Sequence, residues 1–301
     1  MVVLVTGANG QLGQAIKSIS GKYPEIDFVF CSSSELDITN LENCQVVFDE
    51  FQPQFCINAA AYTAVDKAES EPAKAFDINA NGAENLAITC KKFNTILIHI
   101  STDFVFDAYF SEGIAYYDRE LRLPLKSNLG LTETDVPFPS GVYGLTKLQG
   151  EQAIQANWDK HFIIRTSWVY SQFGNNFMKT MLRLASERDR LSVVADQIGT
   201  PTYTYDLARL LVDMAESDKY GYYHATNEGG YISWYDFACE IFKQAGYTTK
   251  VNPVTTEEYG LSKAARPFNS RLDKSKLVEN GFKPLPTWQD ALARYLKEIE
   301  F

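Results

Sequence analysis

Tyr143 and Lys147 stand four residues apart in VYGLTKLQGE, residues 142–151, with no proline between them. In a helix that spacing projects both side chains from one face. A phenol ordinarily titrates near ~10, too high to exchange a proton readily at neutral pH, and an ammonium one turn away stabilises the phenolate by charge. The pair is therefore suited to protonating a carbonyl oxygen while a hydride arrives from elsewhere. Taken alone, Y-x-x-x-K mostly decorates solvated helix edges. A second segment adds weight: STDFVFD, residues 101–107, directly follows the apolar run TILIHI. Open α/β sheets collect ligands at the carboxyl ends of their strands, so a hydroxyl at Ser101 or Thr102 is placed to hold a substrate carbonyl. The competing reading is a Ser/Thr turn that merely closes the strand.

These residues need a rigid frame, and the chain alternates short β-branched runs with helical segments. VVLVT (2–6), FVF (28–30), FCINAAA (55–61), TILIHI (95–100) and FIIRTSW (162–168) read as strands. The alternation predicts an α/β fold, a doubly wound parallel sheet with helices on both faces. EPAKAFDINANGAENLAITCKKF (71–93) is expected to be amphipathic and helical, with Phe76, Ile78, Leu86, Ile88 and Phe93 as apolar positions. The first strand runs into TGANGQLG, where Gly7, Gly10 and Gly13 precede a helix starting near Gln11. Glycines there let backbone amides approach a pyrophosphate, and the helix N-terminus adds partial positive charge. Such a motif also fits a plain connecting turn, but its place between strand and helix favours a dinucleotide in a Rossmann-type arrangement. After the second strand come Cys31, Ser32 and Ser33, where an acidic residue would bind a ribose 2′-hydroxyl and repel a 2′-phosphate. NADPH is therefore expected, with NADH also accepted because no arginine there demands the phosphate. Asp37 and Ile38 are expected near the adenine, with capping of the next helix as a comparable role for Asp37.

The chain has 301 residues, 45% of them hydrophobic, and a formal net charge of -10. That is ample for a core, and the acidic balance without a basic block argues against a nucleic acid or an anionic membrane as partner. The five cysteines are scattered without C-x-x-C spacing, and the three histidines, His99, His161 and His224, are equally dispersed. Neither a disulfide framework nor a metal site is expected, and the histidines read as ordinary packed or surface residues. Met1 leads straight into VVLVTG and no apolar run approaches a membrane span, so the cytoplasm is the expected location.

Together, TGANGQLG (6–13), NAAAYTAVDKAE (58–69), STDFVFD (101–107), VYGLTKLQGE (142–151), RTSWVYSQFGNNF (165–177), DQIGTPT (196–202) and RPFNSRLDKSKL (266–277) resemble an extended short-chain dehydrogenase/reductase. Within that superfamily the chain is similar to the dTDP-4-dehydrorhamnose reductase family over essentially its whole length. The resemblance implies Tyr143 as acid, Lys147 as its tuner and ribose ligand, and Thr102 as the hydroxyl partner. It implies cofactor contacts at Gly7, Asn9, Gly10, Gln11, Leu12, Asp37, Ile38, Ala59, Ala60, Ala61 and Asn79, to which the glycine motif adds Gly13 and the strand end adds Ser32. Substrate contacts are implied at Thr63, Val65, Asp103, Phe104, Trp168, Asn176 and Arg266. From the residues alone, Trp168 reads as a sugar platform or a core aromatic, and Arg266 with Asn269 as a diphosphate grip or a loop staple. The implied activity is NAD(P)H-dependent reduction of the C4 ketone of dTDP-4-dehydro-β-L-rhamnose to dTDP-L-rhamnose. The alternatives are reduction of another nucleotide-linked 4-ketosugar, or a non-catalytic, dinucleotide-binding regulatory subunit of methionine adenosyltransferase.

Three features depart from the family pattern. Phe104 stands where a tyrosine is usual, so that hydroxyl is missing. The segment 108–141 carries an aromatic and charged insertion of about fifteen residues, expected at the active-site mouth or a subunit contact. Ala15 occupies a position where some relatives carry a glutamate that holds magnesium between subunits, and it has no ligand oxygen. A magnesium-bridged dimer is therefore not expected, and the chain is expected to be a monomer or homodimer. TYDLARLLVDMAES (204–217) and GYYHAT (221–226) are expected to return to the main sheet as helix and strand. The result is an NAD(P)-binding domain of residues 1–170 plus 197–226, and a smaller C-terminal nucleotide-sugar-binding domain of residues 171–196 plus 227–301. WQDALARYLKEIEF should close the chain as an amphipathic helix with Ala291, Leu292, Tyr295 and Leu296 as apolar positions.

Overall fold

Alternate residues of the first strand, β1 (Val2–Thr6), pack into different cores, Val3 and Val5 into one and Leu4 into another. A strand buried on both faces belongs inside a parallel sheet covered by helices on either side, and the computed structural model has that architecture. The structure describes residues 1–106, 117–118, 123–124, 130–260 and 263–299. The central sheet contains β1, β2 (Asp27–Cys31), β3 (Phe55–Asn58), β4 (Ile96–Thr102), β5 (His161–Thr166) and β6 (Gly221–His224), in the spatial order β6-β5-β4-β3-β1-β2. Every neighbouring pair is parallel. The strand order reverses between β1 and β3, and their carboxyl ends form the crevice where such sheets bind ligands.

Helices α1 (Gln11–Ile19), α2 (Leu41–Phe51), α3 (Gly82–Phe93), α4 (Val142–Asn157) and α5 (Thr204–Ala215) flank the sheet. On α1, Leu12, Ala15, Ile16 and Ile19 recur at helical spacing and are buried with Val3, Val5, Ile98, Ile164 and residues of α5. The opposite face is filled by Phe48 of α2 and Leu86 and Cys90 of α3 against Leu4, Cys56 and Leu97. Asn40 caps α2 by accepting the Asn43 N–H, and Gln52, at φ 45, ends it in the left-handed region.

A third core forms farther along the chain. There, Phe177–Glu187 and Trp234–Ala245 are helices, and Arg190–Val194 pairs in parallel with Lys250–Val254. Tyr170, Met178, Leu182, Phe237, Ile241, Trp288, Ala291, Leu292 and Tyr295 are buried together. The closing helix, Trp288–Glu298, contributes the expected apolar face and is tied to α5 by Arg294, whose Nη2 lies 2.7 Å from Asp206.

Two local expectations are corrected. The segment 71–93 is helical from Pro72 to Phe93 as expected, but a π turn at Asp77–Asn81 joins Pro72–Phe76 to α3, and Phe76, expected on the apolar face, is 40% exposed. The wider turn rotates the face. It seats Asn79, which accepts the Tyr62 N–H at 2.8 Å and donates to Tyr62 O and Thr146 Oγ1. The run FCINAAA leaves the sheet at Asn58, whereas β4 continues past Ile100 because Thr102 pairs with Thr166 of β5. The expected insertion within 108–141 lies largely outside the described residues, which resume continuously at Gly130.

Candidate active site

At the end of β4, Ser101 and Thr102 have neighbouring hydroxyls with different partners. Ser101 Oγ donates to Glu151 Oε1, and Glu151 is gripped by Arg165 through Nε at 3.0 Å and Nη2 at 2.7 Å. This pair is buried, with the guanidinium between the Phe106 and Tyr222 rings at 4.7 Å from each. Bidentate pairing and aromatic stacking fix such a group where desolvation would otherwise be costly. Ser101 and Thr102 both line the cavity at this strand end, and the Ser101 hydroxyl is engaged by the buried ion pair. Thr102 Oγ1 donates to Asp103 Oδ1 at 3.0 Å and accepts the Phe104 N–H at 3.2 Å. Asp103 is itself buried and also accepts the Ser270 hydroxyl. Burial raises its carboxyl to about 6, against the opposing pull of hydrogen bonds from Ser270 and Thr102.

VYGLTKLQGE opens α4, so Tyr143 and Lys147 share a face as their spacing requires. They are not a solvated edge. Lys147 is 2% exposed, and both residues line a cavity of about 490 Å³ with Thr102, Phe104 and Trp168. Burial pushes the Tyr143 phenol up to about 12, with a hydrogen bond to Thr102 acting against it. Burial pulls the Lys147 ammonium down to about 8, with Glu151 acting against it. A phenol raised this far needs a cation or a proton relay to work near neutrality. The Phe104 ring meets the Tyr143 ring edge-on, with centroids 5.3 Å apart.

The same cavity reaches Gln11 and Leu12 at the start of α1, and a second cavity of about 370 Å³ continues past Gly7, Asn9 and Gly10 to Ser32, Asp37 and Ile38. Ala59, Ala60 and Ala61 line both. Gly7 has φ 64, and a Cβ there would stand 2.7 Å from the Ala59 backbone, so only glycine lets β1 turn this close to β3. Gly10 precedes α1 without any side-chain cap, leaving the first amides of the helix to a ligand. These features fit a dinucleotide whose pyrophosphate lies over the α1 N-terminus. The end of β2 differs from the expectation in one respect. Glu35 folds back so that its carboxylate accepts the Ser32 N–H and hydroxyl, each at 2.7 Å, and these bonds lower its titration. An acidic group therefore does stand beside Ser32. Asp37 accepts the Thr39 N–H and hydroxyl, while Asn40 caps α2, so the capping role proposed for Asp37 is excluded.

A family model described as RmlD substrate binding domain matches residues 1–301. A dTDP-4-dehydrorhamnose reductase of Aggregatibacter actinomycetemcomitans is 42% identical over 306 aligned positions, covering 96% of each chain. The chain belongs to the dTDP-4-dehydrorhamnose reductase family. The reductase of Escherichia coli K12 is 38% identical, covering 99% of this chain and 98% of its own. A solved dTDP-4-dehydrorhamnose reductase of Bacillus anthracis in complex with NADP superposes with a TM-score of 0.88 at 41% identity, covering 99% of both chains.

Not all positions suggested by likeness to the dTDP-4-dehydrorhamnose reductase family meet in the cavities. Thr63, Val65, Asp103, Phe104 and Trp168 do. Trp168 adopts φ 50 and stacks on Trp234 at 3.7 Å, with Gly199 directly beneath its ring. A bulky residue held in the left-handed region is strained, and such strain gathers at ligand sites. Asn176 is not a wall residue: it caps the helix at Phe177 by accepting the Lys179 N–H and donates to Gln11 Oε1 at 3.1 Å, while Asn175 lines the cavity. Arg266 pairs with Asp66 at 2.9 Å, and Asn269 receives Arg271 rather than joining Arg266. Gly13 packs α1 against Gly7, and Asn79 clasps Tyr62, so both support the site from behind. Sequence reasoning missed Trp234, Asn175 and His99. Of these only His99 carried a signal, because a polar ring inside an apolar strand needs a partner.

Proposed function

We propose that the protein reduces the C4 ketone of dTDP-4-dehydro-β-L-rhamnose to dTDP-L-rhamnose with NADPH, and accepts NADH. The observation that carries this reading is the convergence of Thr102, Tyr143 and Lys147 on one cavity that continues to the uncapped N-terminus of α1. NADPH, when bound, supplies the hydride. Thr102 and Tyr143 hold the ketone oxygen, Tyr143 gives it a proton, and Lys147 keeps the phenol reactive and holds the ribose. Gly7, Asn9, Gly10, Gln11 and Leu12 take the pyrophosphate side, with Gly13 packing behind. Ser32, Asp37 and Ile38 take the adenosine, and the Ala59 to Ala61 backbone lies between.

Residues 1–170 plus 197–226 serve as the cofactor-binding domain and 171–196 plus 227–301 as the nucleotide-sugar-binding domain. Trp168, stiffened by Trp234, lines the cavity beside the sugar, with Thr63, Val65 and Phe104 around it. Arg266, a third exposed in its pair with Asp66, is the cation proposed to take the diphosphate. Among the described residues no helix is long and apolar enough to cross a membrane. The enzyme works in the cytoplasm as a monomer or homodimer, and Ala15 gives no ligand for a bridging metal.

The test is NADPH consumption with the ketosugar generated in situ from dTDP-glucose by the two preceding enzymes. Turnover is expected with the dTDP-linked sugar and much less with GDP- or UDP-linked analogues. Turnover that prefers another nucleotide would change the substrate but keep the reductase. Cofactor binding without turnover on any 4-ketosugar would favour a regulatory role.

A further inference from the structure

Ser270 joins the site from near the far end of the chain. Its hydroxyl donates to Asp103 Oδ2, while Thr102 Oγ1 donates to Asp103 Oδ1 at 3.0 Å. Each carboxylate oxygen thus holds one hydroxyl, and among the described residues no cation pairs with Asp103. A buried carboxylate without a counter-charge is costly, and one kept in a cavity wall beside Tyr143 points to a task in the site. Ser270 has little freedom of its own. Its N–H donates to Ile198 O at 2.7 Å, Asn269 bridges Ile198, and a Cβ on Gly199 would stand 2.9 Å from the Ser270 Cβ. Thr102 has one hydroxyl proton and two lone pairs to place. The proton goes to Asp103, one lone pair takes the Phe104 N–H at 3.2 Å, and the other serves the hydrogen bond with Tyr143. To reach a ketone oxygen, the Thr102 O–H must turn away from Asp103. The carboxylate is then left with the Ser270 hydroxyl and the backbone N–H groups of Asp103 and Phe104.

We propose that Ser270 is a positioning residue, whose hydroxyl holds the Asp103 carboxylate in place and satisfied while the Thr102 hydroxyl turns from Asp103 to the ketone oxygen. The catalytic consequence rests on the reductase reading; the arrangement of the three side chains does not. No proton changes owner in this step. The Thr102 O–H rotates about its C–O bond, and the proton delivered to the ketone oxygen is that of Tyr143. Residue 270 belongs to the segment proposed to bind the nucleotide sugar and Asp103 to the one proposed to bind the cofactor. The bond therefore ties the two segments together at the cavity wall. Around Asp103, the ionisable groups of the cavity are Tyr143 and Lys147, both on α4. Lys147 is engaged elsewhere, donating to Ile100 O at 2.7 Å with His99 Nε2 at 3.1 Å. Arg271, next to Ser270, donates to Asn269 Oδ1 at 2.9 Å. A substitution at Ser270 changes none of these side chains and removes one donor to the charged carboxylate, which raises its titration.

Aspartate ¹³C labelling, with Asp103→Asn assigning the resonance, follows the Asp103 carboxyl through pH without substrate. In Ser270→Ala its midpoint should rise by on the order of one pH unit. Ser270→Cys, which keeps the bulk but has a weak donor, should shift it in the same direction. A midpoint that stays or falls in both variants overturns the proposal. With the ketosugar formed in situ, Ser270→Ala should lose about tenfold in kcat with KM little changed, the worth of one hydrogen bond to a charged group. The same substitution should lose a similar factor in Thr102→Ser, which keeps the hydroxyl, and next to nothing in Thr102→Val, which has none. A Ser270 that merely staples the fold would act regardless of Thr102. Equal losses in the Thr102→Ser and Thr102→Val backgrounds, or a loss confined to KM, therefore overturn the proposal as well. The carboxyl titration uses no substrate, so a wild-type protein that turns over no 4-ketosugar would count against the reductase reading, while the titration alone decides whether Ser270 holds Asp103.

Discussion

Asp103→Asn should stabilise the protein above neutral pH and lose that advantage in acid. The Asp103 carboxyl is buried and its titration is raised from 3.8 to about 6. A folded-state value above the unfolded one means the group contributes stability that is fully present below the unfolded value and lost as pH rises through the folded value. Between those values the ionised carboxylate comes to cost roughly 3 kcal/mol, at about 1.4 kcal/mol for each tenfold step in proton affinity. The amide avoids that cost. It keeps an oxygen for the Thr102 hydroxyl but turns an NH2 toward Ser270, and the adjustment costs about 1 kcal/mol. The variant should therefore be more stable by about 2 kcal/mol near pH ~8, and no more stable, or slightly less, near pH ~4.5. Urea unfolding midpoints of both proteins at the two pH values, at one ionic strength, measure the difference. A stability difference that does not change with pH, or that grows in favour of the wild type as pH rises, would refute the assignment of a destabilising buried charge to Asp103.

Tyr143→Phe should lower turnover by at least the roughly 10²-fold expected for a lost general acid, with NADPH affinity little changed, whereas Lys147→Ala should damage both; stopped-flow hydride transfer and cofactor titration separate the two effects. Comparable single-turnover rates in Tyr143→Phe would remove it from the acid role. Glu35→Gln removes the carboxylate that sits on Ser32 and should improve NADPH relative to NADH by a few-fold, read as the ratio of kcat/KM for the two cofactors. An unchanged ratio would place the 2′-phosphate away from Ser32.

The frame was legible because it is written in local periodicities. VVLVT alternates into two cores, and the spacing of Tyr143 and Lys147 sets a shared face in any helix. What escaped depends on partners distant in sequence. Nothing near STD says that the Ser101 hydroxyl is bonded to Glu151 fifty residues on. The stacking of Trp168 on Trp234 and its left-handed backbone come from two segments brought together only by the fold. Glu35 lies three residues beyond Ser32 in sequence, and only the tight turn after β2 returns its carboxylate to that residue. Asn176 fits a helix start as well as a sugar contact, and the structure uses it for the first.

The central claim, that hydride reaches C4 while Tyr143 supplies the proton, is tested most directly by isotope placement. With NADPH deuterated on the transferred face and the ketosugar formed in situ, proton NMR and mass spectrometry of the product locate the label. The expected product is dTDP-L-rhamnose with one deuterium at C4, formed by the wild type and at least ~10²-fold more slowly by Tyr143→Phe. Deuterium at another carbon, or equal single-turnover rates from the two proteins, would contradict it.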